Sequence, residues 1–494
     1  MVWGPNGKRG LRLSDTIRFL LGDRPVEIAD CDPNLTVLEW LRGVGGRCGT
    51  KEGCAEGDCG ACTVVLAEPD GSGGLAYRSV NSCIQFVGTL DGTQLLTVED
   101  LKQDGALHPV QQAMVEAHAS QCGFCTPGFV MSLFKLYRDY DGPLPPSRET
   151  LDRALGGNLC RCTGYRSILE AATRMFQTPR PDGFDAKREA TLAALAKLVR
   201  GSGLAYRDRF FAPATLAELQ ELLGRHPSAR ILSGGTDLGL EVTKAHRTLE
   251  TMIYLGRVAG LDAISRGDGR LTVGAAATWT QAARELAAIW PGLDEIMARF
   301  AGPPIRNAGT VGGNIANASP IGDGPPIFLA LDAEIDLLGP KGTRRLNLAD
   351  FFLDYRKTAR LPGEIVARLH LPLPKPGALF AAYKVSKRHD DDISAVCGVF
   401  ALEIVDGRIA QARAAFGGMA AIPKRAAACE AALLGQVWSL ETAKAAGAAL
   451  AKDFAPIDDM RASAAYRLKV AANLLQRFWF ETATQNDVRA VHYA

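Results

Sequence analysis

CGTKEGCAEGDCGAC, residues 48–62, holds four cysteines and four glycines in one short stretch. Glycine lets backbone turn at positive φ and brings amide N–H groups close to a ligand. Cys54, Cys59 and Cys62 read C-x4-C-x2-C, with Cys83 further on, the plant-type spacing for a [2Fe–2S] cluster. A structural zinc site is the alternative, but zinc favours two short C-x2-C pairs. Cys48 fits no ligand spacing, and the expectation for it is a packed free thiol.

Outward from this loop, IRFLLGDRPVEIA (17–29) reads as two strands around a Gly-Asp turn. Thr36 and Glu39 form a capping box ahead of TVLEWLRGV. TVVLA (63–67) and the apolar positions near 78–87 suggest another hairpin. The order strand, strand, helix, cluster loop, strands is a small β-grasp pattern, like that of plant-type ferredoxins. Gly71, Gly73 and Ala76 match a dinucleotide fingerprint. They lie between two strands, not between a strand and a helix, so the match is discarded.

Residues 108–176 change to helical periodicity, in HPVQQAMVEAHA, TPGFVMSLFKLYRDY, SRETLDRAL and YRSILEAATRMF. Thr126 followed by Pro127 predicts an N-cap with proline at the first helical position, and Ser147 predicts a cap on the third helix. A four-helix bundle is expected. Cys122-x2-Cys125 and Cys160-x-Cys162 sit at corresponding turns. C-x-C is a tight bite for zinc, and helix starts favour an anionic cluster, so these four read as ligands of a second [2Fe–2S] cluster. Two clusters in tandem imply one-electron conduction, with no residue here needed as a catalytic acid, base or nucleophile.

Composition agrees with a cofactor protein. The chain has 494 residues, 47% hydrophobic and 22% charged, with a net charge of +2. That excludes a basic field for nucleic acid. No apolar run of about 18 residues suggests a membrane span, and the N-terminus lacks a signal-peptide pattern. A cytoplasmic protein is expected. Eight of the 12 cysteines fall in the two clusters, which in a reducing compartment points to metal or redox chemistry. Cys31, Cys48, Cys397 and Cys429 are read as small buried thiols. The seven histidines show no metal-ligand spacing.

QTPRPDGFD then reads as a linker, before the amphipathic run AKREATLAALAKLVR. From 210, FFAPATLAELQELLGRHPSARILSGGTDLGLEVTK reads helix, strand, glycine turn, helix. Gly234-Gly235-Thr236-Asp237 is a phosphate-cradling candidate. NAGTVGGNIANASPIGDGPP (307–326) reads as a long polar loop, a type usually retained for function. Two glycine-rich loops converging on one pyrophosphate would supply that function.

GCAEGDCGAC, SQCGFCTPGF, GNLCRCTGYR and the two glycine-rich loops together resemble the molybdenum hydroxylase family, whose best-known members are xanthine dehydrogenase and aldehyde oxidase. The resemblance implies a multidomain α+β chain. It would comprise a β-grasp ferredoxin domain (14–100), a four-helix-bundle [2Fe–2S] domain (101–178), a linker (179–206), a vanillyl-alcohol-oxidase-type FAD domain (207–376) and a small C-terminal α+β flavoprotein domain (377–494). It implies FAD contacts at Ile231, Leu232, Ser233, Gly234, Gly235, Thr236, Asp237 and Leu238. Further contacts are implied at Phe300, Thr310, Val311, Gly312, Gly313, Asn314, Asp323, Val366 and Lys384. Lys384 would stand by the flavin's electron-rich edge, where positive charge favours the reduced anion, and Asp323 would accept from a sugar hydroxyl.

Gln121 is implied as a pterin contact. Tyr355, Lys387, Arg388, Asp390, Asp391 and Asp392 are implied at the nicotinamide side. The chain ends where fused eukaryotic relatives continue into molybdopterin domains. The resemblance therefore implies the small, iron–sulfur/FAD subunit of a bacterial enzyme of the xanthine dehydrogenase kind. Electrons would pass from a molybdopterin-binding large subunit oxidising hypoxanthine or xanthine, through two [2Fe–2S] clusters, to FAD and then NAD. Two small and two large chains are expected to assemble. Two alternatives stay open: service to another substrate (an aldehyde or N-heterocycle), or a stand-alone NADH-oxidising iron–sulfur flavoprotein.

Overall fold

The structure is a computed structural model that describes residues 14–177, 182–389 and 391–483. It divides into two compact units, one comprising residues up to 259 with 301–309, the other 260–300 with 310 onward.

In the first unit, β1 (Ile17–Leu21), β2 (Arg24–Ile28), β3 (Thr63–Pro69), β4 (Leu75–Asn81) and β5 (Gln94–Leu96) form one sheet in the order β2-β1-β5-β3-β4. The β1–β2 hairpin pairs Leu21 with Arg24, and Gly22 turns it at φ +57. Helix α1 (Val37–Gly43) starts on the expected capping box of Thr36 and Glu39. Its Trp40 packs edge-on against Phe19. The apolar run of β3 has a physical reason. Val64 and Leu66 face the core that contains Phe19 and Trp40, while Val65 and Ala67 face a second core built on helices. A strand buried on both sides cannot alternate polar and apolar residues.

The second core belongs to α2 (Pro109–Glu116), α3 (Thr126–Asp139), α4 (Arg148–Leu155) and α5 (Arg166–Arg174). Phe129, Leu133, Phe134, Tyr137, Leu151 and Ile168 fill it, each contributing about 1.5–3 kcal/mol of burial. Ser147 caps α4 by accepting from the Thr150 amide. The expected Thr126 cap is corrected: Cys125 is the N-cap and already has helical backbone. The helix therefore begins one residue earlier, and the Thr126 hydroxyl bonds Ser120 instead.

In the stretch expected as a linker, residues 178–181 lie outside the described residues, and the segment from Asp182 onward is packed. Asp182 caps a short helix, Gly183–Ala186, whose Phe184 is buried in the helical core. The helix Arg188–Ala196 buries Leu195 against Leu20. A second sheet in this unit runs Leu204–Tyr206, Phe210–Ala212, Met252–Tyr254, Arg230–Leu232, the last three mutually parallel.

The second unit holds a five-stranded antiparallel sheet in the order Ile264–Gly267, Arg270–Gly274, Ile365–Pro372, Glu334–Gly339, Gly342–Asn347. It also holds an antiparallel sheet of Leu379–Val385, Val396–Val405, Arg408–Gly417 and Lys424–Arg425. The helices Ala427–Leu433, Leu440–Asp453 and Ala464–Ala483 come next in the sequence. The last two touch closely at Gly447, where a Cβ would meet Ala472 at 3.1 Å.

The long loop expected over 307–326 is corrected. The helices Pro303–Ala308, Val311–Asn317 and Gly324–Ala330 occupy most of it. Thr310 caps the second by accepting from the Gly313 amide at 3.1 Å, and proline opens the first and third. Glycine depresses helix propensity, but here it permits contact: a Cβ on Gly312 would lie 2.3 Å from that of Ala275. Among the described residues no helix is long and apolar enough to cross a membrane.

Candidate iron–sulfur and flavin sites

The 48–62 loop folds its thiols into two pairs. Cys62 and Cys83 are buried, their sulfurs 3.3 Å apart. Cys54 and Cys59 are half-buried, share a side-chain hydrogen bond, and the Cys59 amide donates to the Cys54 sulfur. Asn81 Nδ2 donates to Cys62. Gly57 and Gly60 take positive φ, and a Cβ on Gly53 would lie 2.7 Å from the Cys59 sulfur. The glycines thus let the loop close over sulfur.

The second quartet repeats the arrangement nearer the surface. Cys122 and Cys162 are exposed, their sulfurs 3.6 Å apart, and Cys125 hydrogen-bonds Cys160. Cys125 stands at the start of α3. Cys160 and Cys162 lie in the turn before α5, which opens on Tyr165 at φ +67. Thr163 donates its amide and hydroxyl to the Cys160 sulfur.

These distances are too long for disulfides, whose sulfurs lie about 2.05 Å apart. A tetrahedral metal with bonds of about 2.3 Å spaces its sulfurs about 3.8 Å apart. Among the described residues no three His, Cys, Asp or Glu converge as ligands of a single ion. The thiols stand two and two, which suits a cluster of two irons each taking a pair of thiolates. Protons divide in the same way. The hydrogen bond from Cys59 draws Cys54 down to about 5 and drives Cys59 up. Cys83 likewise lowers Cys62 and is itself raised. Burial pushes Cys125 up to about 12, while Cys160, despite burial, is lowered by the Thr163 donors.

The flavin candidates fall in both units and are described in each. In the first, the strand Arg230–Leu232 carries Ile231 and the buried Leu232 into the turn Ser233–Asp237, and Leu238 opens the helix Leu238–Thr243. Gly235 has φ +76, and a Cβ on Gly234 would lie 2.0 Å from the Ala308 carbonyl oxygen. The turn can be made only without side chains there.

In the second unit, Thr310, Val311, Gly312, Gly313 and Asn314 form the capped first turn of the helix Val311–Asn317. Asp323 and Lys384 are buried together. Lys384 Nζ donates to Asp323 at 2.6 Å and to Ser394 at 3.0 Å, and the Ser394 hydroxyl donates to Asp323 at 2.6 Å. Phe300 lies against Trp279, the rings tilted by 36° with centroids 4.3 Å apart. Among the described residues Asn314 Oδ1 and Trp279 Nε1 are buried without hydrogen-bond partners, and a Cβ on Gly324 would touch both side chains. Unpaired buried polar atoms of this kind suit a polar ligand. Val366 is buried within the sheet, opposite Leu337.

Two of the nicotinamide-side candidates, Lys387 and Arg388, are engaged within the chain. Lys387 Nζ donates to the Met460 carbonyl at 2.6 Å, and Arg388 donates to the Asp391 carbonyl and stands near Asp392. Tyr355 is exposed, as is Gln121. Asp390 lies outside the described residues. Cys48 is exposed, which corrects the packed thiol expected for it: its neighbours Gly46, Arg47 and Gly49 offer no apolar cover. Cys31 is only half-buried, whereas Cys397 and Cys429 are fully buried.

Sequence reasoning passed over Ser394, Trp279, Arg299 and Asn158. Arg299, 9% exposed, holds the segment after Lys384 by donating to the carbonyls of Lys384 and His389 and to the Ser386 hydroxyl. Trp279 lies inside a capping box of Thr278 and Gln281, the one local signal available for it.

Comparison with known proteins identifies three domains in the chain. Residues 97–173 match the [2Fe–2S] binding domain family. Residues 205–374 match the FAD binding domain in molybdopterin dehydrogenase, and 381–482 match the CO dehydrogenase flavoprotein C-terminal domain. Xanthine dehydrogenase of Emericella nidulans is 32% identical over 96% of the chain and 39% of its own length. Xanthine dehydrogenase/oxidase of Rattus norvegicus is 31% identical over 82% and 34%. The chain therefore spans little more than a third of these relatives. Among solved structures, a chain of carbon monoxide dehydrogenase from Hydrogenophaga pseudoflava aligns at TM-score 0.52 and 28% identity, covering 55% of this chain and 94% of that one. A chain of quinoline 2-oxidoreductase from Pseudomonas putida 86 aligns at 0.51 and 28%, covering 56% and 97%. A protein with these domains is an iron–sulfur flavoprotein. The chain belongs to the molybdenum hydroxylase family, as its [2Fe–2S]- and FAD-bearing part.

Proposed function

We propose that this chain is the electron-transfer subunit of a xanthine dehydrogenase, working in the cytoplasm with a molybdopterin-binding large subunit as two small and two large chains. In this reading the first sheet with α1 is a β-grasp ferredoxin domain, α2–α5 are a four-helix cluster domain, and the flavin fold is of the vanillyl-alcohol-oxidase type. The observation that carries the proposal is the arrangement of eight thiols as sulfur pairs in two separate quartets. The bound groups supply one-electron storage in two [2Fe–2S] centres and conversion to two-electron transfer at FAD, which serves NAD.

The chain's own residues do the holding. Cys54 with Cys59 and Cys62 with Cys83 grip one centre; Cys122 with Cys162 and Cys125 with Cys160 grip the other. Donors from Asn81, Thr163 and the Cys59 amide stabilise thiolate charge. The Val311–Asn314 amides already donate to Ala277, Ala275 and Thr310, so in this reading the Thr310–Asn314 turn shapes the flavin site rather than donating to its phosphate. Lys384, fixed by Asp323 and Ser394, would supply positive charge to a bound flavin. Lys387 and Arg388 can turn to a dinucleotide phosphate by releasing their present backbone partners. The likeness to a quinoline oxidoreductase supports service to an N-heterocycle as the second reading.

The test is anaerobic purification and then electron paramagnetic resonance, with xanthine-driven NADH formation after co-expression with a molybdopterin subunit. Two distinct [2Fe–2S] signals and bound FAD are expected. Cys122→Ser should remove one signal, keep FAD and stop NADH formation; NADH at the normal rate in that variant refutes conduction through this quartet. Activity with quinoline-type substrates alone would retain the cofactors and replace xanthine.

A further inference from the structure

The two quartets meet through backbone. The Leu159 amide donates to the Cys59 carbonyl at 3.0 Å. Cys59 belongs to the first quartet, and Leu159 is bonded directly to Cys160 of the second. One hydrogen bond and otherwise only covalent bonds thus join a sulfur of each quartet.

This contact depends on very close packing. A Cβ on Gly60 would lie 2.2 Å from the Gly157 carbonyl oxygen, and one on Gly128 would lie 2.1 Å from the Gly60 carbonyl oxygen. Neither Gly60 nor Gly128 has room for a Cβ here. The Leu159 side chain does not anchor its own amide, because it is 43% exposed. The anchor is the preceding residue. Asn158 is 4% exposed; its Nδ2 donates to the Gly60 carbonyl at 3.1 Å. Its Oδ1 accepts from Ser132 on α3 at 2.6 Å. Thr63 Oγ1 donates to the same Gly60 carbonyl at 2.7 Å. An amide side chain can donate towards the first quartet's loop and accept from the second quartet's helix at once; a carboxylate cannot donate, and alanine can do neither.

We propose that Asn158 is a positioning residue for electron passage between the quartets, clamping Gly60 to α3 so that the Cys59 carbonyl stays on the Leu159 amide. This rests on the reading of both quartets as [2Fe–2S] sites. The step it serves is one electron passing from the Cys125/Cys160 side to the Cys54/Cys59 side. No bond is made or broken and no proton moves. The electron comes from the molybdopterin subunit in turnover.

The experiment uses the full chain with its cofactors, given a one-electron radiolytic pulse and sampled by freeze-quench electron paramagnetic resonance. Asn158→Asp keeps the size and removes the donor; Ser132→Ala removes the other half of the clamp and leaves the donor. With both cluster signals present, Asn158→Asp should slow equilibration between them by about ten- to a hundredfold, the scale of a small misplacement. It should also change their dipolar splitting and reduce hydrogen-exchange protection of the Leu159 amide. Ser132→Ala should shift the same three readouts in the same direction, and it carries the test if Asn158→Asp does not assemble. Wild-type rate and splitting in an assembled variant overturn the role of Asn158. Absence of two [2Fe–2S] signals in the unaltered chain overturns the underlying site assignment instead.

Discussion

Replacing Lys384 with methionine tests the buried pair at the flavin candidate site. The side chains of Lys384 and Asp323 are 3% and 8% exposed, and their charged atoms are 2.6 Å apart. Removing the ammonium leaves the buried Asp323 carboxylate with the Ser394 hydroxyl and without its lysine counter-charge. Breaking a buried pair from one side costs about 3–5 kcal/mol, a large share of a domain's typical 5–15 kcal/mol. An exposed pair would cost at most about 1 kcal/mol.

The assay is urea unfolding of the flavin-free chain, monitored by tryptophan fluorescence, since Trp279 lies in the same unit. With a slope of up to about 3 kcal/mol per molar, Lys384→Met should lower the midpoint by at least about 1 M. Combining it with Asp323→Asn removes the stranded charge, and Asn can still accept from Ser394. The double variant should therefore recover most of the loss. A single-variant cost below about 1 kcal/mol, or a double variant no more stable than the single, refutes the assignment of a desolvated, mutually dependent pair.

Two further outcomes are expected. Gly128→Ala should gain up to about 1 kcal/mol of helix propensity but lose more to the overlap with the Gly60 carbonyl. Overpacking against backbone costs about 1–3 kcal/mol. Net destabilisation with weaker protection of the Leu159 amide is expected in exchange and denaturation experiments, and a net stabilisation would contradict the close packing. The second concerns acid. Burial raises Asp182, but the hydrogen bond from His108 and the charge of Arg138 outweigh it, so its carboxyl is lowered on balance. The hydrogen bonds from Arg138 lower Asp185 too. A folded carboxyl below the ordinary value of about 3.9 contributes stability above that pH and loses it as pH falls towards the folded value. Urea midpoints of the wild type should therefore fall more steeply below about pH 4 than those of Arg138→Gln. Equal slopes would disprove the coupling.

Local features were legible in the chain because their partners lie within a few residues. The Thr36–Glu39 capping box, the Gly22 turn, the Ser147 cap and the β3 run all come from spacing. The same locality explains the errors. Cys125 adopts helical backbone that the Thr126-Pro127 pattern does not disclose, because Thr126 has a better partner in Ser120. The 307–326 stretch looks like loop by propensity, yet Gly312 is there for close contact with Ala275. Cys48 reads as a core thiol by residue type, but the fold leaves it exposed.

Sequence alone pointed to the candidates: eight thiols at cluster spacing, two glycine-rich segments, and many of the helices and strands that present them. Tertiary structure alone decided who meets whom. Cys62 pairs with Cys83 across 21 residues, Lys384 with Asp323 across 61, and Asn158 with Gly60 across 98. Spacing encodes interactions within one turn of backbone. Contacts at such separations exist only once the chain has closed its loops and buried its cores, so their partners cannot be read from any local pattern.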